Sequence, residues 1–228
     1  MTYDHPEFSG SKRFERVQQP RDSATLILVR SDAQEPRILM GQRHQAHAFM
    51  PNKYVFPGGR LDPADCKVRP AADLNPATLA KLMTRMRKRP SAVKARGLAI
   101  AAVRETLEEA GLLYGRRSPD DAPDLSRIHF FARAITPPGR TRRFDSRFFV
   151  ADAAGISNLD HPVHVGTEEL LTLRWLTIAE ALTLDLPLIT VDILGKLQPI
   201  LDAGRFPGHA DPVSFQYQRG KQWREDVL

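Results

Sequence analysis

The chain has 228 residues, 42% of them hydrophobic, and a formal net charge of +6. That length and apolar content suit one compact domain around one sizeable core, while no apolar run approaches the roughly 20 residues that cross a bilayer. The single cysteine, Cys66, excludes an intrachain disulfide, and the positive balance favours anionic partners, although a surplus of surface arginine would give the same charge.

In chain order, residues 1–22 read as a polar extension. Ala24 to Val29 is a short apolar run with β-branched members, which predicts a buried strand. Ser31 to Pro36 is turn-like, and Arg37-Ile38-Leu39-Met40 predicts a second strand, so the two form a hairpin. Phe56-Pro57-Gly58-Gly59 breaks regular structure. Residues 66–96 change character: Pro70 and Pro76 precede a predicted helix from about Ala77 to Lys88, and the stretch Lys81 to Arg96 is basic with no acid. Ser91 is then a helix N-cap, Ile100, Val103 and Leu107 make one apolar stripe, and Gly111 marks the helix stop. Phe130 to Ile135, Arg147 to Ala151 and Leu171 to Leu176 predict strands, and a helix starts at Ile178. Val213 to Tyr217 adds a strand to a C-terminal helix and tail over 191–228, packed on the domain that spans 23–190. Hairpin strands mixed with separate helices define an α+β class. The polar Met1 to Arg21 stretch lacks the apolar core of a secretory signal, and Glu225-Asp226-Val227-Leu228 is not a peroxisomal ending, so a cytoplasmic protein is expected.

The segment that carries chemistry is Arg104-Glu105-Thr106-Leu107-Glu108-Glu109-Ala110-Gly111-Leu112. At about 100° per residue, Glu105, Glu108 and Glu109 are neighbours on a face turned away from the Ile100/Val103/Leu107 stripe. Clustered carboxylates repel, and hard divalent cations relieve that repulsion because they prefer carboxylate oxygens. Taken alone, the same string is equally a solvated acidic helix face.

Its surroundings resolve that ambiguity. The segment resembles the second half of the Nudix box, with Thr106 where an aliphatic residue is usual. The first half starts at Gly59, and five residues later Asp65 stands as an acid in place of the box glutamate. The two halves are then separated by 38 residues, from Asp65 to Arg104, where the uninterrupted box has seven. About 31 residues are therefore inserted, and the uninterrupted spacing would put Arg96 at the glutamate position. A split box resembles the peroxisomal coenzyme A diphosphatases of animals and their bacterial relatives. Ile135-Thr136-Pro137-Pro138, Arg142 to Phe149, and Gly166-Thr167-Glu168-Glu169 leading to Arg174-Trp175-Leu176 are similar to segments of that group.

The resemblance implies a mixed β-sheet sandwiched between α-helices (α/β/α) and a pyrophosphatase that uses Mg²⁺ or Mn²⁺ on a phosphorylated small molecule such as coenzyme A. It implies Arg104, Glu105, Glu108 and Glu109 as the catalytic set, with Gly59 and Glu169 joining the three glutamates as metal ligands. The general base is Glu105 or a member of the Glu168/Glu169 pair, whose other reading is a polar loop. Arginines suit substrate phosphates, and Arg43, Arg60, Arg143 and Arg147 are the candidates, with Arg140 and Arg142 nearby; Arg143 and Arg147 are expected on one strand face. Each is otherwise a surface cation. An added coenzyme A signature of the family would need an arginine and a glycine where Ala48 and Asn52 stand. ADP-ribose, NADH, dinucleoside polyphosphates and nucleotide sugars are therefore alternative substrates, and a non-catalytic nucleotide sensor is the reading from another class. Membrane and nucleic acid are not expected partners; homodimers are common in the resembled family. The basic stretch is a lid, an oligomer contact or a solvated helix face. His44, His47, His161 and His164 read as surface or core histidines, Cys66 as an ordinary small residue and Trp175 as core.

Overall fold

The computed structural model describes residues 18–45, 51–87, 89–140, 142–163, 170–220 and 222–228. Nine strands form one mixed sheet. They are β1 (Arg21–Arg30), β2 (Arg37–Arg43), β3 (Tyr54–Val55), β4 (Gly58–Arg60), β5 (His129–Ile135), β6 (Phe144–Asp152), β7 (Leu170–Thr177), β8 (Ser214–Arg219) and β9 (Gln222–Val227). The helices are α1 (Pro76–Met83), α2 (Ala92–Ala110), α3 (Ile178–Leu182) and α4 (Leu188–Asp202). The central order is β3-β2-β1-β6-β5-β8-β9, with β4 against β1 and β7 against β2. β1 and β2 form the expected antiparallel hairpin, Val29 facing Ile38. β1 runs parallel to β6 along its length, with Leu26 beside Phe149 and Leu28 beside Ala151.

Strand alternation divides the core into two layers. Ala24, Leu26, Leu28, Phe130, Phe149 and Ala151 pack with Leu98, Ala99, Ala102 and Val103 of α2. Ile27, Val29, Met40, Phe148 and Val150 pack with Ile193, Leu194 and Leu197 of α4. The mixed sheet between helices is thus as expected. α4 starts at Leu188, three residues before the 191–228 segment expected to hold a helix and tail, and it packs on the sheet through Ile193, Leu194 and Leu197. Trp175 is only partly buried at the edge of the first core layer, with the Arg30 guanidinium 5.9 Å from its ring centre.

The insertion is tied to the rest of the domain at several points. Asn75 caps α1 by accepting the Ala77 amide. Ala71 donates to the Pro123 carbonyl, and Leu125 donates to the Ala72 carbonyl. Lys81 reaches the carbonyls of His209 and Asp211. Arg85 pairs with Asp226 of β9, Arg87 donates to the Pro20 carbonyl, and Lys94 pairs with Asp22 at 2.6 Å. Lys81, Arg85, Arg87 and Lys94 of the basic run thus have intramolecular partners around the β1 and β8/β9 end of the sheet.

Candidate active site

Helix α2 builds the site. The Ser91 hydroxyl accepts the Lys94 amide, and Gly111 ends the helix in the left-handed region at φ 67°, its amide donating to the Leu107 carbonyl. Ala95, Ala99, Ala101 and Ala102 are buried and small, so the helix lies close on β1. Thr106, in the slot where the resembled box has an aliphatic residue, is completely buried. Its hydroxyl donates back to the Ala102 carbonyl at 2.8 Å, which satisfies the polar group within the helix and leaves the methyl for packing.

Under the acidic face runs the glycine strand β4. The Gly58 amide donates to Glu109 Oε2 at 2.8 Å, and the Glu105 carboxylate lies directly over Gly59. This explains a departure from the helical-wheel expectation: Glu109 faces away from the apolar stripe yet is only 6% exposed, because β4 covers that face. A Cβ on Gly58 would sit 2.6 Å from the Ala24 carbonyl oxygen and 2.7 Å from Thr25 Cα, both on the β1 backbone. The three atoms nearest a Cβ on Gly59 all belong to the Glu105 carboxylate, the first at 2.1 Å. The two glycines thus make opposite predictions. Gly58→Ala costs about 1–3 kcal/mol of stability, because backbone must move. Gly59→Ala leaves the melting transition nearly in place but displaces Glu105. Thermal unfolding beside activity on the same preparations reads both, and a Gly59→Ala protein with unchanged activity contradicts the role of Glu105.

Arg104 organises the rest. Its Nε donates to Asp65 Oδ1 at 2.9 Å and its Nη2 to the Arg60 carbonyl at 3.1 Å. Nη1 lies 2.8 Å from Glu108 Oε2 and 2.9 Å from Glu105 Oε1. Burial works against the guanidinium charge, but the bond to Asp65 and the charges of Glu105, Asp65 and Glu108 outweigh it and push its pKa up. Asp65 is 2% exposed and also accepts the Asp62 amide at 2.8 Å. The split motif is thus rejoined in space by an ion pair. The sequence reading placed Asp65 in the motif but gave it no function; its signal was the five-residue step from Gly59.

The expected phosphate-gripping arginines are dispersed. Arg60 is exposed, while Arg43 ends β2 opposite Leu170 of β7. Arg143 is committed to the Thr136 carbonyl at 2.9 Å and the Gln18 carbonyl at 2.7 Å. Arg147 requires a correction: it is completely buried, pairing with Asp22 at 2.8 Å and Asp145 at 3.0 Å, and no phosphate can reach it in this structure. Strand alternation turns it inward beneath α2, into a network with Asp145 and Arg133. Glu168 and Glu169, with Ala48, His47 and His164, lie outside the described residues.

Among the described residues, no three acidic, histidine or cysteine side chains converge to hold a metal as they stand. Glu105 and Glu108 close on Arg104, and Glu109 closes on the Gly58 amide. The donor chemistry nonetheless fits a hard divalent cation. Three carboxylates lie within five residues, and two of them reach Arg104 through side-chain contacts.

No family model matches the chain. Solved structures match its fold, which is that of the Nudix hydrolases. The Nudix hydrolase from Alicyclobacillus acidocaldarius is similar at 23% identity and a TM-score of 0.58, over 78% of this chain and 90% of that one. The Nudix domain of Shewanella oneidensis NrtR, solved with ADP ribose, is similar at 12% identity and a TM-score of 0.50, over 81% of this chain and 90% of its own.

Proposed function

We propose that the protein is a Nudix pyrophosphohydrolase that cleaves a diphosphate linkage in a nucleotide-linked small molecule with Mg²⁺ or Mn²⁺, acting in the cytoplasm. The observation that carries this reading is the Arg104 web. A buried Asp65 and a main-chain carbonyl fix the guanidinium, and it in turn holds Glu105 and Glu108 beside Glu109 on the glycine strand. A sensor that only bound nucleotide would have no chemical use for all four residues. Glu105, Glu108 and Glu109 would hold the metal, with the Gly59 carbonyl and Glu169 as the further oxygens. The bound ion supplies charge neutralisation at the phosphate oxygens and a water of lowered pKa. Arg104 orients Glu105 by a charge-assisted bond, and Glu105, or Glu168 or Glu169, takes the proton of the attacking water. Arg60, the exposed last residue of β4, is an arginine placed to meet a substrate phosphate.

Coenzyme A or an acyl derivative is the proposed substrate. The split box supports this. Asn52 stands where the added signature has glycine and adopts φ 62°, a left-handed backbone that asparagine tolerates better than other side chains. The turn thus keeps the backbone shape that a glycine would allow. The test is product release from coenzyme A, acetyl coenzyme A, ADP-ribose, NADH and diadenosine polyphosphates, with Mg²⁺ and with Mn²⁺. Cleavage of coenzyme A to a 3′-phosphoadenosine nucleotide and a phosphopantetheine supports the full proposal. Turnover of another member alone overturns the substrate, and tight binding without any turnover overturns the enzyme.

A further inference from the structure

The sheet has one long open edge. One end of the central order is β3, two residues long, and so short an edge offers little to pair with. The other end is β9, six residues with neither proline nor glycine and with an unbroken register against β8. Among the described residues no strand covers its outer side. Val213 and Leu228 exchange both main-chain bonds, at 3.3 and 3.0 Å. Such exchange skips every second residue of an antiparallel pair, so Asp226, Arg224 and Gln222 bond back to β8. The amides and carbonyls of Trp223, Glu225 and Val227 are then turned outward.

Charge commonly blunts an open edge, but in β9 the order of the charges makes the edge complementary to itself. A second β9 laid antiparallel meets the first in register when Glu225 stands opposite its own copy. All of the outward main-chain groups are then used, because Trp223 faces the partner's Val227 on both sides of the centre. Val227 is 70% exposed, the most exposed large hydrophobic side chain among the described residues. An aromatic opposite a β-branched side chain is a favourable cross-strand pair. On the other face Arg224 stands across from the partner's Asp226, and the two-fold repeats the pair. Sliding one strand by two residues would instead set Arg224 against the partner's Arg224, or Asp226 against the partner's Asp226. The like charges left at the centre each bring a cation of their own chain, since Lys196 lies 3.3 Å from Glu225.

We infer that the protein self-associates through β9: two copies pair antiparallel about a two-fold axis at Glu225 and join their sheets into one. This goes beyond the pyrophosphohydrolase reading and stands or falls without it. An edge of six residues buries little surface, so the dissociation constant is expected at roughly 1–100 µM.

Sedimentation equilibrium of the full chain, over concentrations that span this range, reads the association. Val227→Pro removes an outward amide that β8 does not use, and it weakens the dimer at least about tenfold while the melting transition stays near its place. Cross-linking reads the register on a Cys66→Ala background. Glu225→Cys sets two thiols on the axis, with Cα atoms roughly 5.5 Å apart and within disulfide reach. Gln222→Cys sets its two thiols about 20 Å apart. Under mild oxidation with diamide, Glu225→Cys is expected to link rapidly and Gln222→Cys is not. A chain that stays monomeric throughout overturns the inference. So does a folded Val227→Pro protein that dimerises as the wild type does, or a Gln222→Cys protein that links as readily as Glu225→Cys. If Val227→Pro does not fold, the two cysteine variants decide.

Discussion

Glu109→Gln lowers metal-dependent diphosphate hydrolysis by at least about 10²-fold, the scale of losing one positioned charge-stabilising group, while unfolding changes by less than about 1 kcal/mol. The asymmetry follows from what Glu109 does in the fold. Its Oε2 accepts the Gly58 amide at 2.8 Å, and the glutamine carbonyl can accept the same bond. The charge is what disappears, and a hard cation discriminates strongly between a carboxylate and an amide oxygen. Initial rates over a titration of Mg²⁺ and Mn²⁺, with thermal unfolding on the same samples, separate the two effects. A variant that turns over like the wild type removes Glu109 from the metal site. A variant that loses rate and stability together makes it a structural residue.

Arg133→Met costs about 3 kcal/mol of stability, the lower end of the range for breaking a buried ion pair, because the bidentate partner of a buried carboxylate is lost while one weaker contact remains. Arg147→Met, at the position opposite Arg133 on the neighbouring strand, costs less than about 1.5 kcal/mol. Arg133 Nε and Nη2 each donate to Asp145 at 2.8 Å, Nη1 donates to the Arg85 carbonyl at 3.0 Å, and the guanidinium lies 4.3 Å from the centre of the Phe215 ring. Removing it takes both of the guanidinium hydrogen bonds that Asp145 receives and leaves this completely buried carboxylate the Arg147 contact at 3.0 Å. Arg147 differs. Burial presses its pKa down, and among the described residues its Nε and Nη2 have no hydrogen-bond partner. Once it is gone, Asp145 keeps Arg133 and Asp22 keeps Lys94. Urea unfolding of both variants reads the difference, and equal or reversed costs refute it. The kcat/KM of Arg147→Met also matters: a large loss at unchanged stability would return Arg147 to the substrate.

Much of this was legible in the sequence because it was local. The ends of α2 were marked by Ser91 and Gly111, whose roles depend on neighbours within four residues. Strands β1, β2, β5, β6, β7 and β8 were marked by apolar runs. β4 was not, because Pro57-Gly58-Gly59 reads as a break; it is a strand only through pairing with β1 and the Glu109 contact. β9 was hidden for the same reason, since Arg224-Glu225-Asp226 shows no apolar alternation and is ordered by β8. The inward position of Arg147 follows from strand period, but its sealing depends on packing that no strand pattern records. The basic run from Lys81 to Arg96 was ambiguous because several of its partners are main-chain carbonyls, which every sequence supplies equally.

The ion pair between Asp65 and Arg104 joins residues 39 positions apart. In an uninterrupted box the same contact would close a loop of under ten residues. The longer loop raises the entropic cost of closure by roughly 1.5 kcal/mol. Its consequence is one of timing during folding. A short box can fold its two halves as one neighbourhood, whereas here Arg104 meets Asp65 only after the chain between them has been brought back against the sheet. The contact belongs to the non-local set that slows folding as sequence separation grows. Docking the insertion through Lys81, Arg85 and Lys94 shortens the effective tether. The reactive centre therefore inherits its order of assembly from a segment that contributes no carboxylate to it.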